Sequence, residues 1–310
     1  MPVIEIDRLD DPRLDVFARL TDSALRRRID AERGLYLAES QFVFERALAA
    51  GHVPRAVLVE RSALPEVTFQ LGAHGQGDRT RAERGLPPLP VFTGDRDTLA
   101  GLTGFALHHG VIGCLDRPEP LDQDAVIAGT AESATADGTT GQASRARRLV
   151  VIEGVVDPAN VGLIFRSAAG LGADGVLLTP RTADPLYRRA LRLSMGTVLQ
   201  VPWAHTGGWR DLAPRLHAAG FHIAALALDD RAVTLDAFAR RVRGETGADA
   251  EKSPADRLDR IALVLGSEGY GVSDACLRTA DTLVEIPMTN GVDSLNVASS
   301  SAVAMWALRV

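Results

Sequence analysis

Short apolar runs alternate with helical segments through the second half of the sequence. Each run is rich in Val, Ile, Leu and Ala and is bounded by turn residues, which is typical of buried β-strands. Because strands that alternate with helices form parallel sheets, we expect an α/β fold with a mostly parallel sheet. The predicted strands are residues 149–152, 175–178, 198–201, 222–228, 261–265 and 282–286.

A smaller α/β unit is predicted for the N-terminal part. Strands are expected at 35–38, 55–59, 89–92 and 110–115, and Ser40 is expected to cap a helix over 41–50. The Gly- and Arg-rich stretch 72–85 is interpreted as an exposed loop, and the polar stretch 243–257 as a surface loop.

A low-complexity stretch separates the two parts. Residues 117–147 lose all periodicity and are rich in Ala, Thr, Gly, Ser and Asp, as flexible connectors are. We therefore predict an N-terminal domain over 1–117, a linker over 118–147 and a C-terminal domain over 148–310.

The composition suits a globular protein with two modest cores, since 46% of the 310 residues are hydrophobic and 24% are charged. The net charge of −6 is not the basic excess typical of nucleic-acid-binding domains, so any RNA contact needs a local patch. Only Lys252 among the 34 Lys and Arg residues is a lysine. Arginine suits bidentate phosphate contacts, but genome composition explains the bias as well.

The sequence favours a cytoplasmic location. Cys114 and Cys276 lie far apart without a CxxC partner, which argues against a disulfide framework and a structural zinc site. The apolar stretch 294–308 is too short and too polar to span a bilayer, and the N-terminus lacks the pattern of a secretory signal. We expect no membrane segment and no metal.

One glycine pattern suggests a dinucleotide site when it is taken without its context. Gly170, Gly172 and Gly175 match GxGxxG, but a true fingerprint follows a strand and opens a helix. Here the glycines close a predicted helix and lead into a strand. They indicate a helix C-terminus and a tight turn, which leaves a dinucleotide oxidoreductase a distant alternative.

Two segments place unusual residues after predicted strands. In VIEGVVDPANVGLIFRS, Asp157-Pro158 opens a helix that carries Asn160 and Arg166. Asp-Pro is a common helix opening and a helical Arg is usually solvated, so a structural interpretation stays open for this segment. In LVLGSEGYGVSD, three glycines surround Glu268, which is more than one structural turn requires and lets the backbone approach a ligand.

The third segment is VEIPMTNGVDSLNVASSSAVAMW. It leaves a strand at Ile286-Pro287, passes Asn290 and Gly291, and enters a helix after Ser294 and Asn296. Small residues on this helix indicate close helix packing, whatever else the segment does.

Together, the three segments resemble motifs 1, 2 and 3 of the SpoU/TrmH family of RNA ribose 2'-O-methyltransferases, part of the SPOUT superfamily. The resemblance covers the whole predicted C-terminal domain. More loosely, YLAESQFVFERALAAG and HHGVIG are similar to the L30e-like substrate-binding domain of many members. The resemblance implies a C-terminal trefoil knot, S-adenosylmethionine as the cofactor, a structured RNA as the substrate and a homodimer.

The resemblance also implies roles for individual residues. Asn160 and Arg166 belong at the reacting hydroxyl, with Ser294 and Asn296 beside them and Glu268 holding the arrangement. A guanidinium is a poor proton acceptor and a good partner for phosphate or a developing alkoxide, so we expect Arg166 to position and stabilise. The implied cofactor contacts are Gly266, Ile286 and Leu295, with Pro287 and Met288 nearby.

The RNA contacts and the target are less determined. Arg181, Arg188, Arg189 and Arg192 form a basic cluster, which is either an RNA-binding patch or a solvated helix face. His108 and His109 lie outside the motifs and are expected to be structural or to face RNA. Ribosomal RNA is favoured over transfer RNA, and a catalytically silent RNA-binding or ribosome-assembly factor is the alternative.

Overall fold

The computed structural model describes residues 1–22, 30–107, 110–129, 146–245 and 258–309. They form two compact units. Unit 1 comprises the described part of residues 1–119 together with residues 186–200, and unit 2 comprises residues 120–129, 146–185 and the described part of 201–309. His108 and His109 lie outside the described residues, as do 130–145 of the predicted linker and 246–257 of the predicted surface loop.

The strands of the described residues are β1 (Val3–Glu5), β2 (Leu35–Glu39), β3 (Pro54–Glu60), β4 (Val91–Gly94), β5 (Val111–Asp116), β6 (Arg148–Ile152), β7 (Gly175–Leu178), β8 (Trp203–His205), β9 (His222–Leu226), β10 (Val233–Thr234), β11 (Ile261–Leu265) and β12 (Thr282–Glu285). The α-helices are α1 (Gln41–Ala49), α2 (Leu64–Ala73), α3 (Asp78–Glu83), α4 (Arg96–Thr103), α5 (Gln123–Ala128), α6 (Pro158–Gly170), α7 (Arg188–Leu193), α8 (Trp209–Ala218), α9 (Leu235–Val242), α10 (Asp274–Thr279) and α11 (Val297–Ala307). Short 3-10 helices span Pro12–Phe17, Arg61–Ala63 and Thr197–Leu199.

Unit 1 is built on a five-stranded mixed sheet in the order β1-β4-β3-β5-β2. β1, β4 and β3 run parallel, whereas β5 is antiparallel to both β3 and β2. Its core includes Phe17, Leu58, Phe92 and Ile112, all at most 1% exposed. The predicted strands 35–38, 55–59 and 110–115 correspond to β2, β3 and β5. β4 begins two residues later than the predicted strand 89–92, and β1 was not predicted. Ser40 precedes α1 as expected but makes no side-chain cap hydrogen bond.

The expectation of an exposed loop over 72–85 is wrong. α2 extends to Ala73 and α3 follows at Asp78–Glu83. Arg81 of α3 is only 2% exposed and donates to the carbonyl oxygens of Pro54 and Pro87 and to Oε1 of Gln76. These acceptors satisfy a buried guanidinium, which the local composition does not reveal.

Unit 2 contains a seven-stranded sheet in the order β10-β12-β9-β11-β6-β7-β8, and every neighbouring pair is parallel. β11 lies between β9 and β6, with Ile261 opposite both His222 and Arg148. All five residues of β11 are buried, which explains its continuous apolar sequence. The expected α/β class with a mostly parallel sheet is confirmed, whereas the trefoil knot stays a prediction.

In the second half, one predicted strand is wrong, and the interpretation of the glycine pattern is correct. Residues 198–201 are not a strand: Thr197–Leu199 form a 3-10 helix of unit 1, entered through Gly196 at φ 80°. Short buried apolar runs look alike in strands and helical turns, which accounts for the error. The glycine pattern is confirmed as a helix-to-strand turn, since α6 ends at Gly170, Gly172 has φ +76° and β7 begins at Gly175.

Part of the predicted linker is helical and packed. Val126 and Ile127 of α5 are 1% and 4% exposed and belong to the core of unit 2. Arg260 binds this helix by donating from Nη2 to the Ile127 carbonyl oxygen at 3.0 Å, while its guanidinium lies 4.0 Å from the Phe221 ring centroid. The predicted domain boundaries themselves stay predictions. None of the described helices is long and apolar enough to cross a membrane.

Candidate active site

A cleft of about 600 Å³ lies at the carboxyl edge of the parallel sheet in unit 2. It is lined by residues that end or follow the neighbouring strands β9, β11 and β12. Open parallel sheets bind ligands at this edge, since the loops after neighbouring strands converge there. The lining residues are 226–228, 265–272, Leu277, 284–286, Met288, 293–297 and Ser300.

The glycine-rich segment after β11 folds back on itself as a tight turn. Ser267 and Gly271 exchange two backbone hydrogen bonds of 3.0 and 2.9 Å. Gly269 and Gly271 have φ of +89° and +64°, a region that side chains disfavour. A Cβ on Gly266 would lie 2.2 Å from the Gly271 carbonyl carbon, so glycine is needed there. The turn places Glu268 beside the cleft.

Asn160, Glu268 and Asn296 form one hydrogen-bonded cluster. Glu268 Oε1 accepts from Asn160 Nδ2 at 2.9 Å and from Asn296 Nδ2 at 2.7 Å. Asn296 Nδ2 also donates to Asn160 Oδ1 at 3.0 Å. Each residue comes from a different predicted segment, so the cluster links all three. We name it the amide–carboxylate cluster.

Local capping interactions hold two members of this cluster in place. Asp157 accepts a hydrogen bond from the Ala159 backbone N–H, and Pro158 occupies the first turn of α6, which fixes Asn160 near the helix start. Asn160 is only 4% exposed. Asn296 is the N-cap of α11, where its Oδ1 accepts from the backbone N–H groups of Ala298 and Ser299. One Asn296 side chain therefore both starts the helix and donates to Glu268.

The other two predicted catalytic residues lie outside the cluster. Arg166 is exposed on α6 and makes no hydrogen bond or ion pair with another described residue. Ser294 is exposed and lines the cleft. Both side chains are accessible to a ligand from solvent.

Four of the five predicted cofactor contacts line the cleft: Gly266, Ile286, Met288 and Leu295. Pro287 is exposed and is not among the lining residues. Sequence reasoning missed the end of β9 with the loop that follows it, residues 226–228, and it missed Tyr270. The loop was predictable in principle, because β9 neighbours β11 and its carboxyl end reaches the same edge.

Two of the four arginines in the predicted patch form ion pairs with a carboxylate that the sequence did not indicate. Glu39 is 1% exposed, and in unit 1 it pairs with Arg188 at 3.2 Å and Arg192 at 3.5 Å. Arg188 also lies 4.9 Å from the Phe105 ring centroid. Arg189 in unit 1 and Arg181 in unit 2 are exposed. No group of three metal-ligating side chains occurs among the described residues.

The fold and the cleft define an α/β protein that holds a small ligand at the carboxyl edge of a parallel sheet. The SpoU rRNA methylase family model matches residues 147–306. The chain belongs to this family. Membership confirms the expected enzyme class, an RNA methyltransferase that uses S-adenosylmethionine.

Individual proteins are similar to this chain in sequence or in fold. An uncharacterized tRNA/rRNA methyltransferase of Mycobacterium tuberculosis is 35% identical over 298 residues, which cover 96% of this chain and 88% of the relative. The 23S rRNA (guanosine(2553)-2'-O)-methyltransferase RlmP of Bacillus subtilis is 29% identical over 164 residues, or 53% of this chain and 58% of RlmP. The AdoMet-bound rRNA methyltransferase of Sinorhizobium meliloti has a similar fold, with a TM-score of 0.70, 22% identity, and coverage of 99% of this chain and 97% of that chain.

Proposed function

We propose that this protein transfers a methyl group from S-adenosylmethionine to a ribose 2'-hydroxyl of ribosomal RNA. The amide–carboxylate cluster carries the proposal, because it joins Asn160, Glu268 and Asn296 beside the cleft. The cluster brings together one polar side chain from each of the three segments that resemble the family motifs, at the edge of the cleft where the cofactor would bind.

The cleft fits the cofactor in size and chemistry. Its volume of about 600 Å³ falls within the range of small-molecule sites, and it combines apolar side chains with exposed backbone groups of the glycine turn. Gly266, Ile286 and Leu295 would hold the cofactor, with Met288 beside it. When bound, S-adenosylmethionine supplies a methyl group activated by a sulfonium.

The chain's own residues would align the acceptor and handle its charge. Transfer requires the 2'-oxygen to lie in line with the methyl group while its proton leaves. Arg166 is exposed and has no protein partner among the described residues, so it is available to contact a phosphate and stabilise negative charge on the oxygen. Glu268 fixes the orientation of both amides, and Ser294 lies at the cleft for a further contact.

Calorimetric titration of S-adenosylmethionine, paired with transfer of tritiated methyl groups to total ribosomal and transfer RNA, tests this proposal. We expect micromolar binding by the wild type, loss of binding in Leu295→Trp, which fills the cleft, and label in ribosomal RNA. Label in transfer RNA alone would overturn the ribosomal target. Cofactor binding without label in either RNA would favour the catalytically silent alternative.

Replacement of Arg166 tests its role. We expect Arg166→Lys to lower turnover about tenfold or more, since a lysine keeps the charge but lacks the planar fork for bidentate contacts. The affinity for S-adenosylmethionine should not change, because Arg166 does not line the cleft. Near-normal turnover would show that bidentate geometry is not required.

The ribosomal target is supported by RlmP, whose name gives 23S rRNA as its substrate. A ribosomal RNA substrate would place the protein in the cytoplasm. Arg181 and Arg189 are the best remaining candidates for RNA contacts, since Arg188 and Arg192 pair with Glu39.

A homodimer is also part of the proposal. Val303 and Trp306 of α11 are 41% and 57% exposed, and association would cover such apolar side chains. Light scattering coupled to size-exclusion chromatography measures the mass directly. A monomer at micromolar concentration would contradict this part of the proposal.

A further inference from the structure

Tyr270 is the most exposed large hydrophobic side chain among the described residues, with 93% of its surface accessible. It lies in the turn after β11, two residues beyond Glu268, and it lines the cleft. Its hydroxyl makes no hydrogen bond to another described residue. Packing within unit 2 therefore does not account for an aromatic ring at this position.

The turn presents this ring from a constrained backbone. Gly269 and Gly271 flank Tyr270 at positive φ, and the Ser267–Gly271 hydrogen bonds close the turn beneath it. Ser267 Oγ adds a third contact to the Gly271 carbonyl oxygen at 3.3 Å. A tyrosine on such a support loses little conformational freedom when it binds a flat partner, because only two side-chain torsions have to be fixed.

Two flat partners are conceivable at this place, the adenine of the cofactor and a nucleobase of the RNA. Nearly all of the Tyr270 surface faces solvent, whereas Ile286 and Met288, which line the same cleft, are half-buried. A ring that is this exposed is open to a ligand that arrives from solvent and stays outside the cleft. Unstacked bases of structured RNA commonly stack on aromatic side chains, without requiring a particular base.

We propose that Tyr270 stacks on a nucleobase of the RNA next to the acceptor ribose and so holds the RNA at the amide–carboxylate cluster. The inference rests on the proposed function, because it assumes that the acceptor ribose lies beside Glu268. Tyr270 is then a substrate-contacting residue that serves RNA binding and leaves cofactor binding unaffected.

Three variants separate stacking from other roles. Tyr270→Phe keeps the aromatic face, Tyr270→Leu keeps apolar bulk without that face, and Tyr270→Ala removes both. Filter binding measures the dissociation constant for total ribosomal RNA, calorimetry measures that for S-adenosylmethionine, and tritium transfer gives KM for RNA and kcat. Thermal unfolding checks that each variant folds, which we expect for so exposed a side chain.

We expect Tyr270→Ala and Tyr270→Leu to weaken RNA binding and raise KM about tenfold, within the range of aromatic stacking on one base. Tyr270→Phe should stay within about twofold of the wild type. Cofactor affinity should be the same in all four proteins.

Three results would overturn the inference: unchanged RNA binding by Tyr270→Ala, wild-type behaviour of Tyr270→Leu, or a loss of cofactor affinity parallel to the loss of transfer. The last result would identify adenine as the partner. If the wild type binds RNA but transfers no methyl group, the proposed function fails, while the filter-binding comparison still decides the role of Tyr270.

Discussion

At the scale of single residues, Glu268 organises the site through one oxygen atom. Its Oε1 accepts from two amides that belong to different segments, and one of these, Asn160, is 4% exposed. Hydrogen bonds to a carboxylate are roughly twice as strong as neutral ones. The charge of Glu268 therefore acts on the site by fixing Asn160 and Asn296, which does not require it to accept the substrate's proton.

Two substitutions at Glu268 separate its charge from its shape. Glu268→Gln keeps an acceptor of the same length, so we expect a folded protein with methyl transfer reduced about tenfold. Glu268→Ala leaves the buried Asn160 amide without its acceptor, which should cost about 1–3 kcal/mol of unfolding free energy and lower transfer further. Urea unfolding and tritium transfer measure the two effects. Equal transfer by Glu268→Gln and the wild type would show that the charge is not needed.

The sequence predicted the members of the amide–carboxylate cluster, but it did not predict the partner of two arginines in unit 1. Asn160, Glu268 and Asn296 were expected together because each lies in a segment that resembles a family motif. The pairing of Arg188 and Arg192 with Glu39 was not predictable, since about 150 residues separate the partners. Residue type alone does not tell a phosphate-binding arginine from one that satisfies a buried carboxylate.

At the scale of helices and strands, continuous apolar runs were the dependable signal. β6, β7 and β11 were predicted within a residue because strands buried on both faces are apolar throughout. α3 and α5 were missed for the opposite reason. Their sequences are polar or low in complexity, and a few buried side chains, Arg81 in one and Val126 and Ile127 in the other, hold them in place.

The contact between α5 and β7 yields a test by paired substitutions. A Cβ on Gly175 would lie 2.6 Å from Val126 Cγ1, and the β-branched Val126 has little freedom to move away. We expect Gly175→Ala to destabilise unit 2 by about 1–3 kcal/mol, as overpacking does. Val126→Ala removes the clashing atom, so the double variant should be more stable than additivity predicts. Additive effects in urea unfolding would contradict the close approach of α5 to β7.

A histidine that links two neighbouring strands makes the free energy of unfolding depend on pH. His222 of β9 shares a 2.8 Å hydrogen bond with Thr282 of β12 and stacks on Phe238. Burial lowers the pKa of His222 below its ordinary value of 6.5, although Asp281 opposes the shift. At a pH between the lowered pKa of the folded protein and about 6.5, the imidazole of the unfolded chain is therefore more fully protonated than that of the folded one.

The free energy of unfolding should therefore fall as the pH drops from about 7 towards 5. His222→Gln removes the titrating group and should flatten this dependence. The pKa of His52 in unit 1 is lowered by burial too, so some dependence will remain. Urea midpoints at several pH values provide the measurement. An equal slope in the variant and the wild type would exclude His222 as a contributor.

At the scale of the whole molecule, a net charge of −6 has to be reconciled with a polyanionic substrate. Since the overall field repels RNA, binding depends on arginines that are exposed and not neutralised by carboxylates. Arg181 and Arg189 meet that description, whereas Glu39 offsets the charge of Arg192 at 3.5 Å. We therefore expect Arg181 and Arg189 to contact the RNA, and Arg192 to serve mainly as a partner of Glu39.

The salt dependence of RNA affinity distinguishes arginines that contact phosphate from arginines that pair with a carboxylate. The logarithm of RNA affinity falls linearly with the logarithm of salt concentration, with a slope set by the number of phosphate contacts. Arg181→Ala and Arg189→Ala should each reduce that slope by about 1. Arg192→Ala should reduce it less, because Arg192 pairs with Glu39 and is therefore a weaker candidate for a phosphate contact. Arg231→Ala is the control, since Arg231 pairs with Asp229 outside the predicted patch. If all four variants kept the slope of the wild type, the RNA contacts would have to lie on other arginines.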